Sequence, residues 1–288
     1  MAVLRLRSLG DCVLTTPALQ ILKRARPDLR IAMVVEDRFR AIFEGNPDLD
    51  AILPPGLRAV RAWRPRLCLN LHGGTRSAWM TALSGARDRA GFAHFRHGWA
   101  YNVRIPRAQQ ILGIERKVHT AEHLASAMFF LGAPAGEIPR ARLVAACMER
   151  GARAVIHAFA SAPEKTWPAA GFLEAARWLR QSGLEPVFIG GGSDDLSPFA
   201  EFRCLGGASL EEIKNLLAGA ALFLGNDSGP AHMAAAFGLP VVVLFGASDR
   251  DIWGPWRTAF EIIAAPEGLA RVDAARVIEA LGRLRVAA

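Results

Sequence analysis

The stretch Gly225-Asn226-Asp227-Ser228-Gly229-Pro230-Ala231-His232-Met233-Ala234-Ala235-Ala236-Phe237-Gly238-Leu239-Pro240-Val241-Val242-Val243-Leu244-Phe245-Gly246 decides the fold. An apolar run at 220–224 precedes it and reads as a strand. Asp227, Ser228 and Gly229 are helix-capping residue types, and Pro230 suits a first helical position because its missing N–H would be unpaired there. Residues 233–237 are good helix formers, and Gly238 then Pro240 stop the helix. Residues 241–245 are continuously apolar, the pattern of a strand buried on both faces. The unit is therefore strand, capped turn, short helix, strand. Such a turn aims free backbone N–H groups and about half a positive charge at whatever lies above it, so a phosphate fits there. On local geometry alone, an ordinary crossover with a well-capped helix fits equally well.

Working outward, 288 residues, 51% of them apolar, are enough to fill two cores. Lys+Arg 35 against Asp+Glu 27 leaves a net charge of +8, which suits an acidic partner: nucleotide phosphates, nucleic acid or an anionic membrane surface. A single Tyr and no basic block interleaved with aromatics argue against a dedicated nucleic-acid binder. Cys12, Cys68, Cys147 and Cys204 have no zinc or redox spacing and read as reduced thiols of a cytoplasmic protein. The opening residues lack an apolar core with a cleavage site, and no apolar run approaches the roughly 20 residues that span a bilayer. The expectation is a cytoplasmic protein able to sit on a membrane surface.

Strands are expected at 2–6, 31–35, 51–53 and 67–71, with 88–92 as a short edge strand. In the first helix, Pro17 either opens it, with Thr15 or Thr16 as cap, or kinks a helix that begins at Asp11. A helix at 78–83, an irregular stretch at 94–110 and a helix at 119–131 follow. The second half begins with a strand at 154–159, then a helix at 169–181 and a strand at 186–189. Ser209 and Glu212 form a capping box, and 274–284 is a last amphipathic helix. Alternating strands and helices indicate two parallel sheets with covered faces, and ligands on such sheets sit beyond the carboxyl ends of the strands.

Several strand-end loops carry candidate chemistry. Asp11 opens the first helix, where it is either a general base or a carboxylate stabilised by the helix dipole. Gly73 and Gly74 permit close backbone approach, and Thr75 and Arg76 suit an anion or sugar hydroxyls. Lys165 lies beside Trp167 and Pro168, as a site cation or a solvated charge. No dinucleotide fingerprint, metal-ligand spacing or serine nucleophile elbow is present.

Taken in order, Ser8-Leu9-Gly10-Asp11, Leu71-His72-Gly73-Gly74-Thr75-Arg76-Ser77, Glu164-Lys165-Thr166-Trp167-Pro168, Gly206 to Glu212, Gly225 to His232, Leu244 to Asp249 and Trp253-Gly254-Pro255 resemble glycosyltransferase family 9, the ADP-heptose:lipopolysaccharide heptosyltransferases. The resemblance spans nearly the whole chain. It implies the GT-B fold: two Rossmann-like, doubly wound α/β domains facing across a cleft. Residues 1–148 would take the acceptor and 149–270 the ADP-sugar, with 271–288 a helix crossing back to the first domain. It implies an inverting transfer of heptose to a lipopolysaccharide core or similar glycan, with no metal and no cofactor. Residue by residue, Asp11 resembles the base and Lys165 the charge that stabilises the leaving diphosphate. Asp227, Ser228, Gly229, Pro230, His232, Thr166 and Gly191 resemble donor contacts, with Glu185 or Glu211 on the ribose. Gly10, His72, Gly73, Thr75, Arg76 and Arg104 resemble acceptor contacts, with His119 and Glu122 nearby. Residues 53–67 are compact where many members have a longer basic helix, although Arg58, Arg61, Arg64 and Arg66 remain available to lipid phosphates or to a solvated loop. The cysteine-rich segment of some members is missing. A non-catalytic nucleotide-sugar binder and a nucleotide-sugar epimerase on the same scaffold are the alternatives.

Overall fold

A computed structural model describes residues 1–146, 150–160, 162 and 165–286, so Cys147 and Glu164 lie outside the described residues. The chain divides into two compact units, Met1–Val144 and Ala145–Ala288.

The first unit runs β1 (Ala2–Leu4), α1 (Leu9–Ala25), β2 (Ala32–Val34), β3 (Ala51–Leu53), α2 (Leu57–Trp63), β4 (Leu67–Asn70), α3 (Thr75–Ala82), β5 (Asp88–Phe92), β6 (Val103–Ile105), α4 (Ala108–Leu112) and α5 (Thr120–Phe130). Its six strands lie in the order β3-β2-β1-β4-β5-β6, every neighbouring pair parallel. The second unit runs β7 (Arg153–His157), α6 (Ala169–Gln181), β8 (Glu185–Gly190), β9 (Arg203–Gly206), α7 (Leu210–Ala218), β10 (Leu222–Asn226), α8 (Gly229–Ala236), β11 (Val241–Phe245), α9 (Arg250–Trp253), β12 (Phe260–Ala264) and α10 (Ala274–Val286). Its order, β9-β8-β7-β10-β11-β12, repeats that of the first unit strand for strand, again all parallel. In such sheets the order reverses between the first and fourth strands, and ligands bind beyond the carboxyl ends there. That places one candidate mouth at the ends of β1 and β4 and another at the ends of β7 and β10.

Local chemistry explains most elements. All five residues of β10 and of β11 are buried, as continuous apolar runs covered by helices on both faces require. Helix α1 begins at Leu9, so Pro17 lies inside it. Pro17 has no N–H for the Val13 carbonyl, and the Thr16 hydroxyl donates to that carbonyl instead, at 2.8 Å. Ser209 caps α7, its hydroxyl accepting from the Glu212 N–H while the Glu212 carboxylate accepts from the Ser209 N–H.

Four expectations change. The helix expected to cross back to the first domain, α10, packs on α6, β11 and β12, and Val277, Ala280, Leu281 and Leu284 join the core of the second unit. An amphipathic stripe records that a helix is covered, not by which sheet. Strand β5 lies inside its sheet, and the edge is β6, a three-residue strand within the stretch expected to be irregular. Strands β9 and β12 close the second sheet where no strand is expected. The 53–67 segment holds α2, closed by Arg64 in the left-handed region (φ 52°). Arg58, Arg61, Arg64 and Arg66 are exposed on and just after this helix, rather than on a solvated loop.

Candidate active site

In the first unit, β1 delivers Arg5 and the first turn of α1 delivers Asp11. The Asp11 carboxylate accepts from the Ser8 hydroxyl at 3.0 Å and approaches the Arg5 guanidinium at 3.6 Å. Ser8 meets Oδ2 and Arg5 faces Oδ1, and the group stays 19% exposed, so it can still receive a proton. Arg5 is buried at 7% exposure, and its Nε finds no partner. Burial pushes the Arg5 pKa down, with Asp11 acting against the shift.

These residues line a cavity of about 480 Å³ with Arg7, Ser8, Arg38, Phe39 and His72. Three guanidiniums and one carboxylate make it a mouth for a polar, anionic molecule. The His72 pKa is lowered by burial and then by Arg5 and Arg7, which favours a neutral imidazole. Asn70, fully buried at the end of β4, shapes the loop: its Oδ1 accepts from the His72 and Gly73 N–H groups, both at 2.9 Å. Gly73 has φ +73°, and a Cβ there would stand 2.8 Å from the Phe95 ring. Gly10 is buried in α1.

The other expected acceptor residues diverge. The Thr75 hydroxyl lies 2.9 Å from His97 Nε2. Arg76 donates to the Pro55 carbonyl and faces Glu36 at 3.9 Å, and Arg104 lies exposed on edge strand β6; neither lines the cavity. His119 and Glu122 are spent on capping α5, with Glu122 also paired to Arg116 at 2.6 Å. His123, one residue on, stacks on Phe92 at 4.0 Å, and burial draws its pKa down to about 4.

In the second unit, Ser228 is the N-cap of α8, with Gly229 and Pro230 in its first turn. The helix start leaves first-turn N–H groups without intrahelical partners. The Ser228 hydroxyl lies 3.1 Å from His157 Nδ1, at the end of β7. Burial lowers the His157 pKa to about 4, with Asp194 acting against it, so the ring is neutral near pH 7. Asn226 is the counterpart of Asn70: it ends the fourth strand of its sheet, is fully buried and fixes the adjoining loop. Its Oδ1 accepts from the Trp167 N–H at 3.1 Å and its Nδ2 donates to the Ala158 carbonyl at 3.0 Å. The loop so held carries Lys165, partly exposed, and Thr166, whose hydroxyl donates to the Ala162 carbonyl at 3.1 Å.

Burial raises the Asp227 pKa, while the Ser248 hydroxyl and the Lys165 charge act against the rise. A partly desolvated carboxylate beside a lysine suits sugar hydroxyls. The Gly191 N–H is already taken by Asp194 at 2.7 Å, so that glycine has no spare donor. His232 is buried at 6% exposure within α8. Glu185 opens β8 at the amino end of the sheet and faces Arg203 at 3.9 Å, away from the site end; Glu211 begins α7 on the site side.

Sequence reasoning missed Arg5, Asn70, His157 and Asn226. Arg5 left a signal, a charge inside the apolar run expected as a strand at 2–6. The other three are polar residues at strand ends, distinguishable only by the loops they hold. Among the described residues, no group of three or more His, Cys, Asp or Glu side chains is placed to hold a metal ion.

The family profile of glycosyltransferase family 9 (heptosyltransferase) matches residues 57–276. The chain belongs to this family. It is a glycosyltransferase of two α/β domains in the GT-B class. Lipopolysaccharide heptosyltransferase 3 of Escherichia coli K12 is 27% identical, with 86% of this chain and 82% of that protein covered. Lipopolysaccharide heptosyltransferase 1 of Salmonella typhimurium LT2 is 24% identical, with 96% and 97% covered. Among solved structures, a family 9 glycosyltransferase from Veillonella parvula superposes with TM-score 0.87 at 20% identity, covering 100% of this chain and 97% of that one. An E. coli heptosyltransferase solved with ADP gives TM-score 0.80 at 20% identity, with 98% and 99% covered. At these identities the structural likeness shows the fold alone.

Proposed function

We propose that this member of the family transfers a heptose, with inversion, from an ADP-sugar to a lipopolysaccharide-core or similar lipid-linked glycan. Asp11 supports the reading most directly: a tethered, partly exposed carboxylate in a cation-lined cavity at a switch point. Asp11 takes the proton from the acceptor hydroxyl as that oxygen attacks the anomeric carbon. The bond to the diphosphate breaks from the opposite face, and negative charge gathers on ADP. Lys165 and the N-terminus of α8 oppose that charge, and Asp227 meets hydroxyls of the sugar. Arg5 and Arg7 hold an anionic acceptor, with His72 beside them as a neutral hydrogen-bonding group. The relatives named lipopolysaccharide heptosyltransferases, and the neighbour solved with ADP, support this choice of donor and acceptor. No helix among the described residues is long and apolar enough to cross a membrane. A lipid-linked acceptor therefore brings the enzyme to an anionic membrane surface as a peripheral protein. The test is ADP release from ADP-heptose in the presence of a lipid-A-type acceptor. Release is expected from wild type and lost in Asp11→Asn and Lys165→Ala; wild-type rates in both variants would overturn the assigned roles. Donor turnover without acceptor would support epimerase chemistry instead.

A further inference from the structure

Six arginines lie between His72 and Arg107, at positions 76, 87, 89, 96, 104 and 107, against one carboxylate, Asp88. Within this segment two tryptophans stand out of the surface. Trp79 on α3 is 53% exposed and Trp99 in the β5–β6 connection is 52% exposed, with ring centroids 4.6 Å apart. Leu83, which ends α3, adds a third exposed apolar side chain at 45%. Grouped large apolar side chains differ from the singly scattered ones that are normal on a surface. Cations of the same segment are available: Arg87, Arg96, Arg104 and Arg107 are exposed and make no ion pair among the described residues. The Arg104 guanidinium lies by Gly98, the neighbour of Trp99, at 3.9 Å from where a Cβ would stand.

We propose that the Trp79–Trp99 pair, with Arg104 beside it and the other unpaired arginines of its segment, is the face by which the protein rests on an anionic bilayer. The inference rests on the membrane part of the proposed function and names the surface that makes the contact. Indole rings settle at the headgroup level because one edge is polar and the body apolar. Guanidiniums beside them meet lipid phosphates, and each basic residue near the surface adds attraction. Two half-exposed indoles present about 200–250 Å² of apolar surface, well short of the ≈ 800 Å² per partner of a stable protein interface. Size thus favours a bilayer over a second copy of the chain. Placement agrees: α3 starts at the His72–Thr75 loop, so the patch lies on the helix that leaves the acceptor end of β4.

The experiment is co-sedimentation of the full chain with vesicles of phosphatidylcholine alone or of an equimolar mixture with phosphatidylglycerol. Wild type is expected to pellet with the mixed vesicles, only weakly with the neutral ones, and less as salt is raised. Trp79→Ala/Trp99→Ala should reduce partitioning about tenfold or more. Arg96→Gln should reduce it several-fold, and Phe260→Ala, an exposed aromatic on β12, should leave it unchanged. If the double variant misfolds by circular dichroism, Arg96→Gln and the salt dependence decide. Equal pelleting by the double variant and wild type would overturn the proposal, as would no preference for anionic vesicles. So would a wild-type dimer that the tryptophan substitutions dissociate. Vesicle binding is read without turnover, so a failed transfer assay and a failed membrane assay remain distinguishable.

Discussion

Asp11 shows how much one carboxylate is asked to do. It faces buried Arg5 at 3.6 Å and, in the proposed mechanism, also takes the acceptor proton. Asp11→Asn should lower kcat by about 10²–10⁴, the usual worth of a general base. It should also cost on the order of 1–3 kcal/mol of stability, because Arg5 loses its counter-charge. Adding Arg5→Met should recover the stability, measured by urea midpoint, but not the rate. His157 and Ser228 are a second residue-scale unit. If the neutral ring orients the hydroxyl towards the donor phosphate, His157→Phe and Ser228→Ala each raise KM for the ADP-sugar by about 5–20-fold. The double variant should then be no worse than either single one, since one hydrogen bond is lost in every case. Additive losses would mean separate roles.

Among the elements, α1 carries the clearest compromise. Pro17 interrupts its hydrogen-bond ladder, and Thr16 repairs the break with its side chain. The same hydroxyl accepts from the Arg142 N–H at 2.9 Å, tying residues 141–143 onto the helix. Thr16 is fully buried, so Thr16→Val keeps the shape and leaves both groups unsatisfied. The expected cost is about 2–3 kcal/mol, read from the shift in denaturant midpoint at constant m-value. The sequence left two readings of Pro17 open because Thr15 and Thr16 are equally good caps. Asp11 decided between them by bonding back to Ser8, which starts the helix two turns earlier. Helix α6 and strand β11 were fully legible, since their bounds are set by local stops and an unbroken apolar pattern. The short edge strands β6, β9 and β12 were not, because an edge strand needs only one neighbour and little apolar surface.

At the scale of the whole molecule, two sheets of the same strand order carry separate cores. Leu281 on α10 is fully buried in the second of them. Leu281→Ala should cost about 2–5 kcal/mol. Hydrogen exchange should locate the loss in α6 and β11 while α1 and β1 keep their protection; loosening of α1 instead would return α10 to the first domain. Acid sensitivity is also a property of the whole fold. His123 and His157 have native pKa values of about 4, below the ~6.5 of an unfolded chain. Between those values the unfolded state binds protons that the native state refuses. Their contribution is therefore complete above pH ~6.5 and fades as pH falls towards 4, by at most about 3 kcal/mol per histidine. His157→Gln should flatten the pH dependence of stability between pH 7 and 5.

By itself, the sequence determined two alternating α/β halves, the capped turn at Asp227–Pro230, and Asp11 and Lys165 just beyond strand ends. Those features rest on periodicity and capping, which are local, and on the order of the motifs along the chain. Only the tertiary structure decided which sheet covers α10, which strands form the edges, that Arg5 is buried against Asp11, and that His157 meets Ser228 from 71 residues away. A helix stripe or a strand-end histidine presents the same pattern whichever partner it meets. That choice belongs to packing between distant residues, which sets burial and, through burial, charge.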